Sequence, residues 1–274
     1  MPKINLNSNL AVTCWASVLR NCSYFVGFLL ATSALAADPA GFGPGEHIAY
    51  EVRFLGLSAG IGDLRVGSAL QREGREVWPL VCFGETRSLA SLYAMHDKFI
   101  SFWDPATTQN VGSDFFVDEK HKRRRERYRY DRDAAKVFAT KQKEGQPAVE
   151  LEFDIRADAL DVAAAGFWLR TVPLSEGAVH ERAVFTGAKQ FVMHAKVEGR
   201  QSVTTPLGTF DVWRVSVNAD FKGSLSTRGD IHVYYTADAR QLPVRAEADF
   251  AIGTIVANVV QYEPGRAPTP GVAR

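Results

Sequence analysis

Apolar residues recur at every second position through most of the chain, a period that predicts β-strands. In His47–Phe54, Ile48, Tyr50, Val52 and Phe54 share one face, while His47, Glu51 and Arg53 take the other. Gly56–Gly62 holds three glycines and reads as a turn, after which Leu64, Val66, Ser68 and Leu70 form the second arm of a hairpin. The alternation returns at 76–86, 98–103, 111–118, 126–131, 136–140 and 148–154, and again at 179–186, 190–198, 201–205, 210–221, 229–236, 243–251 and 254–262. Asp104-Pro105, Glu144-Gly145-Gln146-Pro147, Glu198-Gly199 and Pro206-Leu207-Gly208 separate these runs. Two segments carry a helical period instead. Ser88–His96 sets Leu89, Leu92, Tyr93 and His96 on one side, and Asp158–Leu169 offers Asp158 as N-cap with Val162, Phe167 and Trp168 on its apolar side. The expectation is a mainly β protein: a strongly curved antiparallel sheet or half-open barrel with one or two short helices.

The first residues break the pattern. Tyr24–Ala31 is apolar but too short to span a bilayer, and it runs into Ala34-Leu35-Ala36, the small-x-small signature of a cleavable export signal. This predicts a signal peptide over 1–36, cleavage after Ala36 and a periplasmic mature chain. A single β-rich domain is expected over 37–262, its halves joined near 156–178, with a disordered tail over 263–274. Removing Lys3 and Arg20 leaves 30 basic residues against 31 acidic ones, so the mature chain has no bulk positive charge with which to hold nucleic acid. Cys14 and Cys22 leave with the signal, and Cys82 alone forms no intramolecular disulfide.

Candidate chemistry is sparse. No nucleophile elbow, zinc-protease helix, phosphate-binding loop or dinucleotide fingerprint occurs, and the six histidines lack ligand spacing. No catalytic, metal or cofactor site is expected. Cys82 lies between Val81 and Phe83 and reads as core; Asp114/Asp118 and Asp158/Asp161 read as a strand-end pair and a helix opening. The conspicuous charge feature is Lys120–Arg129, in which seven of ten residues are Lys or Arg. One reading is a charged strand edge that blocks edge-to-edge pairing. The other is a rim for anionic headgroups formed by Lys122, Arg123, Arg124, Arg125, Arg127 and Arg129. Aromatic residues spread over many strands, and Tyr50, Phe54, Phe102, Trp168, Trp213 and Tyr235 are candidate walls of an apolar groove.

The order of several landmarks resembles a bacterial family called domain of unknown function 3108. Gly45-Glu46, Tyr50-Glu51-Val52 and Gly56-Leu57-Ser58-Ala59-Gly60 look like its opening. Thr86, Leu89-Ala90-Ser91-Leu92-Tyr93, Asp97, Tyr130-Asp131, Asp158-Ala159-Leu160, Phe167-Trp168-Leu169-Arg170 and Gly177 look like its middle. Thr205-Pro206-Leu207-Gly208-Thr209-Phe210, Val233-Tyr234-Tyr235-Thr236 and Leu242-Pro243-Val244 look like its close. The resemblance implies an exported, β-rich protein of Gram-negative bacteria with no established activity. The functional expectation is a non-enzymatic periplasmic protein that binds a lipid or other lipophilic ligand, or supports envelope maintenance. The alternatives are a scaffold that holds an envelope protein and an enzyme of unrecognised type.

Overall fold

The computed structural model describes residues 41–87, 95–119, 122–219, 231–250 and 253–266. Strands β1 (His47–Phe54), β2 (Leu57–Val66), β3 (Leu70–Arg72), β4 (Arg75–Thr86), β5 (His96–Asp104), β6 (Gln109–Glu119), β7 (Lys122–Asp131), β8 (Lys136–Lys143) and β9 (Val149–Asp154) precede helix α1 (Val162–Trp168) and a 3-10 turn (Leu169–Thr171). Strands β10 (Val179–Phe185), β11 (Gln190–Thr205), β12 (Gly208–Ala219), β13 (Ile231–Thr236), β14 (Pro243–Phe250) and β15 (Gly253–Glu263) follow. All belong to one antiparallel sheet. β1 pairs with β15 on one side and β2 on the other; successive hairpins then lead out to β9 in one direction and to β10 in the other, with β3 added to β4. The sheet is therefore mainly β, strongly curved and not closed by a ladder, as the alternation predicts.

Several boundaries differ from the expected ones, each for a local reason. The first turn is only Leu55-Gly56, both at positive φ (50° and 80°), which suits a two-residue hairpin turn, and β2 starts at Leu57. Gly60 and Gly62 are consequently strand residues, and a Cβ at Gly60 would sit 2.3 Å from the Glu85 carbonyl of β4. Glu198-Gly199 does not end a strand: the pairing shifts between Val197 and Gly199, a bulge through which β11 continues to Thr205. β7 takes in Lys122–Arg125 as well as 126–131. The helix cap is Asp161, whose carboxylate accepts the Ala164 N–H at 2.8 Å, whereas Asp158 pairs with Arg156 in the preceding turn. The helix expected at Ser88–His96 lies outside the described residues over 88–94, and His96 opens β5. Residues 1–36 and 267–274 also lie outside them. Residues 263–266 are ordered: Glu263 pairs with His47, and the Arg266 N–H donates to the Pro44 carbonyl at 2.9 Å.

The two ends of the strand path meet through side chains. Phe185 of β10 lies 5.2 Å from Phe153 of β9 and 6.1 and 6.3 Å from Tyr128 and Tyr130 of β7. Between the ends, Leu160 forms a parallel bridge with Val184. The lower end of the sheet, where β1 begins and β13 finishes, is filled by α1 and the 3-10 turn. Phe42 sits against Phe167 (4.9 Å), Trp78 (6.1 Å) and Trp103 (6.2 Å), all four rings being buried. Burying each such ring contributes roughly 1.5–3 kcal/mol.

Arg170 and Glu46 form a fully buried, two-pronged ion pair at this end, with Nη1 2.6 Å from Oε2 and Nη2 2.8 Å from Oε1. Arg170 Nη2 also donates to the carbonyls of Gly41 and Arg240, so one guanidinium ties the first strand's approach, the β13–β14 turn and the helix. Gly41 is needed there, since a Cβ would lie 2.4 Å from the Ala239 carbonyl. Removing one partner of such a pair strands a buried charge at a cost of about 3–5 kcal/mol, while replacing both with apolar groups costs far less. Arg170→Met is therefore expected to lower the unfolding free energy by about that amount and Glu46→Leu/Arg170→Met to recover most of it. Urea denaturation of the two variants checks this; equal loss in both would refute it.

Candidate functional site

The inner wall of β5 to β8 is where the chain departs most from an apolar interior. Alternation turns Asp97, Phe99 and Ser101 of β5 inward, with Ser113, Phe115, Val117 and Glu119 of β6, Arg124, Glu126, Tyr128 and Tyr130 of β7, and Val137, Ala139 and Lys141 of β8. Register places Phe99, Phe115, Glu126 and Lys141 in one row across the wall, and Val117 opposite Arg124 in the row above. The charged groups thus collect toward the upper end, opposite α1. Arg124, with a side chain only 7% exposed, lies 3.1 Å through Nε from Glu126 Oε1. Glu126 Oε2 accepts from the Tyr128 hydroxyl and lies 3.5 Å from Lys141 Nζ, which donates to the Gly187 carbonyl at 2.7 Å. Asp97 Oδ1 accepts the Asp118 N–H at 3.2 Å. Among the described residues, Arg124 Nη2 and Asp97 Oδ2 are buried without a hydrogen-bond partner. Beside Asp97 the row continues through Gly84 of β4 and Gly62 of β2, two positions without side chains.

Burial shapes the protonation of this wall. It pushes the Asp97 carboxyl up to about 7, with the Glu119 charge adding to the effect and Arg124 opposing it. It lowers Lys141 against the attraction of Glu126, and it raises Tyr128 well above its ordinary value. Deeper in, Asp161 accepts from Ser101 Oγ at 2.7 Å and is pushed up to about 6, chiefly by burial. Its surroundings are those of a structural carboxyl: it caps α1, and its own N–H donates to Asn110 Oδ1. The Cys82 thiol is pushed up to about 12, again mainly by burial, so it is protonated at neutral pH. Among the described residues no three His, Cys, Asp or Glu side chains group as a metal site, and no helix is long and apolar enough to cross a membrane.

The expected site residues are dispersed. Arg124 points inward and leaves the proposed rim. Arg123, Arg125, Arg127 and Arg129 point outward along the face of a strand flanked by β6 and β8, so they do not lie along a sheet edge. The side chain of Lys122 lies outside the described residues. The aromatic set does not form one groove. Tyr50 and Tyr235 are fully buried, and the Tyr50 hydroxyl donates to the Pro243 carbonyl at 2.8 Å. Phe54, Trp168 and Trp213 are half-buried against the same core, Trp168 beneath Arg182 and Trp213 beneath Arg200. Phe102 faces outward under Arg72, whose guanidinium carbon is 3.9 Å from the ring centre. The reason is parity, since outward and inward aromatics alternate along a strand just as polar residues do. Glu119, Glu126 and Lys141 escaped the sequence reading as site residues, and Asp97 entered it only as a landmark of the family resemblance. The signal was the shared parity of Arg124 and Glu126 with Tyr128 and Tyr130.

An antiparallel, barrel-like sheet curled around a short helix, with charges buried at both ends, defines the class of protein. The chain belongs to the family described as protein of unknown function DUF3108, whose pattern matches residues 49–260. No curated protein matches the sequence. In fold the chain is similar to a β-barrel-like protein of domain of unknown function DUF1849 from Brucella abortus, with a TM-score of 0.53 at 10% identity over 82% of this chain and 99% of that one. Two further structures align less closely. An exported protein with a YmcC-like fold from Bacteroides fragilis gives a TM-score of 0.37 at 10% identity, over 86% of this chain and 99% of that one. A lipoprotein from Parabacteroides distasonis gives 0.31 at 9% identity, over 83% and 100%.

The raised carboxyl of Asp97 has a definite sign for stability. The folded state holds its proton up to about pH 7, whereas the unfolded chain releases it near 3.8. Between these values the folded state binds the extra proton, so this group's contribution falls as pH rises through the window and is level above it. Asp161 acts with the same sign up to about pH 6. Asp97→Asn, which keeps an acceptor for the Asp118 N–H, is expected to gain stability relative to the parent between pH 5 and pH 8, at about 1.4 kcal/mol per pKa unit removed. Thermal melts of both proteins at pH 5, 6.5 and 8 check it; parallel curves would refute the assignment.

Proposed function

We propose that the protein is an exported, non-enzymatic binding protein that takes the head of an amphiphilic ligand at the upper end of its sheet. The observation that carries this reading is the pair Arg124 and Asp97, both buried, each with a hydrogen-bonding atom unused among the described residues, beside the side-chain-free positions Gly62 and Gly84. Buried ionic groups cost several kcal/mol each unless paired and hydrogen-bonded, and a polar head would supply what the wall lacks. The matching chemistry is a head that presents an acceptor to Arg124 and a group able both to donate to and to accept from Asp97, such as a hydroxyl. The facing strands favour an apolar tail, since Met193, Val217, Ile231, Ala248 and Ile255 are all buried in the core. Curved sheets of many strands are built to enclose such ligands. Export is supported by the leader pattern ending at Ala36, and an envelope location follows from it.

Native mass spectrometry of the protein purified from its own host tests the reading. The expected result is a co-purifying lipid mass that is reduced about tenfold or more in Arg124→Gln, whose lost charge-assisted hydrogen bond is worth about 1.5–3 kcal/mol. A parent that carries no adduct, or a variant that carries as much as the parent, would overturn it.

A further inference from the structure

We propose a separate interaction surface: the outer wall of β5, β6 and β7, with the adjoining face of β8, docks the protein on an anionic lipid surface. An antiparallel sheet with one solvated face should present mainly polar residues outward. This wall instead interleaves rings with cations. Register sets Lys98 opposite Phe116, and Phe116 opposite Arg125; below the row of Ile100, Asp114, Arg127 and Thr140, Phe102, Gly112, Arg129 and Phe138 follow in a further row. The guanidinium carbons of Arg125 and Arg129 lie 4.8 and 4.5 Å from the ring centres of Phe116 and Phe138. The exposed arginines of β7 repeat about every 7 Å along the strand.

The charge is not self-neutralised. Arg123 pairs with Asp118 (3.2 Å), Arg127 with Asp114 (3.5 Å) and Arg129 with Asp131 (3.7 Å). Lys98 and Arg125, on either side of Phe116, have no carboxylate partner among the described residues. On the opposite wall Glu181 meets His194, Glu198 meets Arg214 and His232, and Glu247 meets Arg245 and Tyr234. A ring stacked under a guanidinium leaves the N–H edges of that guanidinium pointing away from the ring plane's centre, toward solvent, where phosphate oxygens are bound. Single-stranded nucleic acid is the poorer fit, since its bases need free ring faces and these are already covered. Aromatic residues set among cations are, in contrast, the composition of surfaces that sit at lipid headgroups.

Vesicle co-sedimentation of the full mature chain tests this independently of the ligand reading. The parent is expected to sediment with phosphatidylglycerol vesicles at low salt, to remain in solution with phosphatidylcholine vesicles, and to be released as screening shortens the reach of the charges. Lys98→Gln/Arg125→Gln should weaken partition by about fivefold per cation removed, and Arg125→Gln alone by about fivefold, with unchanged melting curves. Arg53→Gln/Lys196→Gln on other faces should leave it unchanged. Failure of the parent to bind, equal losses in the control variants, or displacement of the vesicles by a single-stranded oligonucleotide would overturn the proposal.

Discussion

The structure depends on how the two ends of a fourteen-strand path meet without a ladder between them. Residues 155–161 do the joining. The Ile155 N–H donates to the Ala135 carbonyl, the Leu160 N–H to Ala183, and the Phe185 N–H back to Leu160. Arg132 reaches under the same segment, donating to the carbonyls of Ala157, Ala159 and Asn110. Burial disfavours a charge there, and the guanidinium is held below its ordinary pKa despite the nearby Asp161. An open sheet edge invites pairing with another chain; here a short crossing segment and a set of carbonyl contacts occupy it. Because α1 starts at Asp161, directly after the bridge, the same joint also sets where the helix enters the interior.

The two buried charge groups then stand in contrast. At the lower end, Arg170 and Glu46 satisfy one another and Arg170 collects two backbone carbonyls besides, the arrangement of a fastener. At the upper end, Arg124, Glu126 and Lys141 form a chain of contacts that leaves donor and acceptor atoms over. Only the upper set arises from strand parity, since Arg170 belongs to the 3-10 turn and Glu46 precedes β1. The difference between them follows from what surrounds each charge, since the residue types are the same.

Period-two alternation made the sheet legible from the sequence, and most strands begin or end within a few residues of where the pattern changes. What it did not show was pairing across the sheet. Gly60 and Gly62 looked like a turn because nothing local indicates that β4 approaches closely enough to require glycine. Glu198-Gly199 looked like a chain reversal because a bulge and a turn use the same residues. The basic run shows the limit more sharply. Its composition suggested one surface, yet Arg124 and Arg125 are neighbours in sequence and lie on opposite sides of the wall. The six aromatic residues were legible as largely buried but not as a groove, because which rings share a surface is decided by register between strands far apart in the chain.

The pairing of β1 with β15 also governs when the protein can fold. His47 and Glu263 face each other across the middle of the sheet, and between them lies almost the whole described chain. Every other neighbouring pair along the path joins strands close in the chain, consecutive or, for β2 and β4, separated only by β3, whereas this one closes a loop of more than two hundred residues and gains nothing until β15 is present. A growing chain can therefore lay down β1 to β9 and still lack the partner for its first strand. The sheet is therefore joined at its centre only once β15 has been made, and until then β1 has one neighbour instead of two.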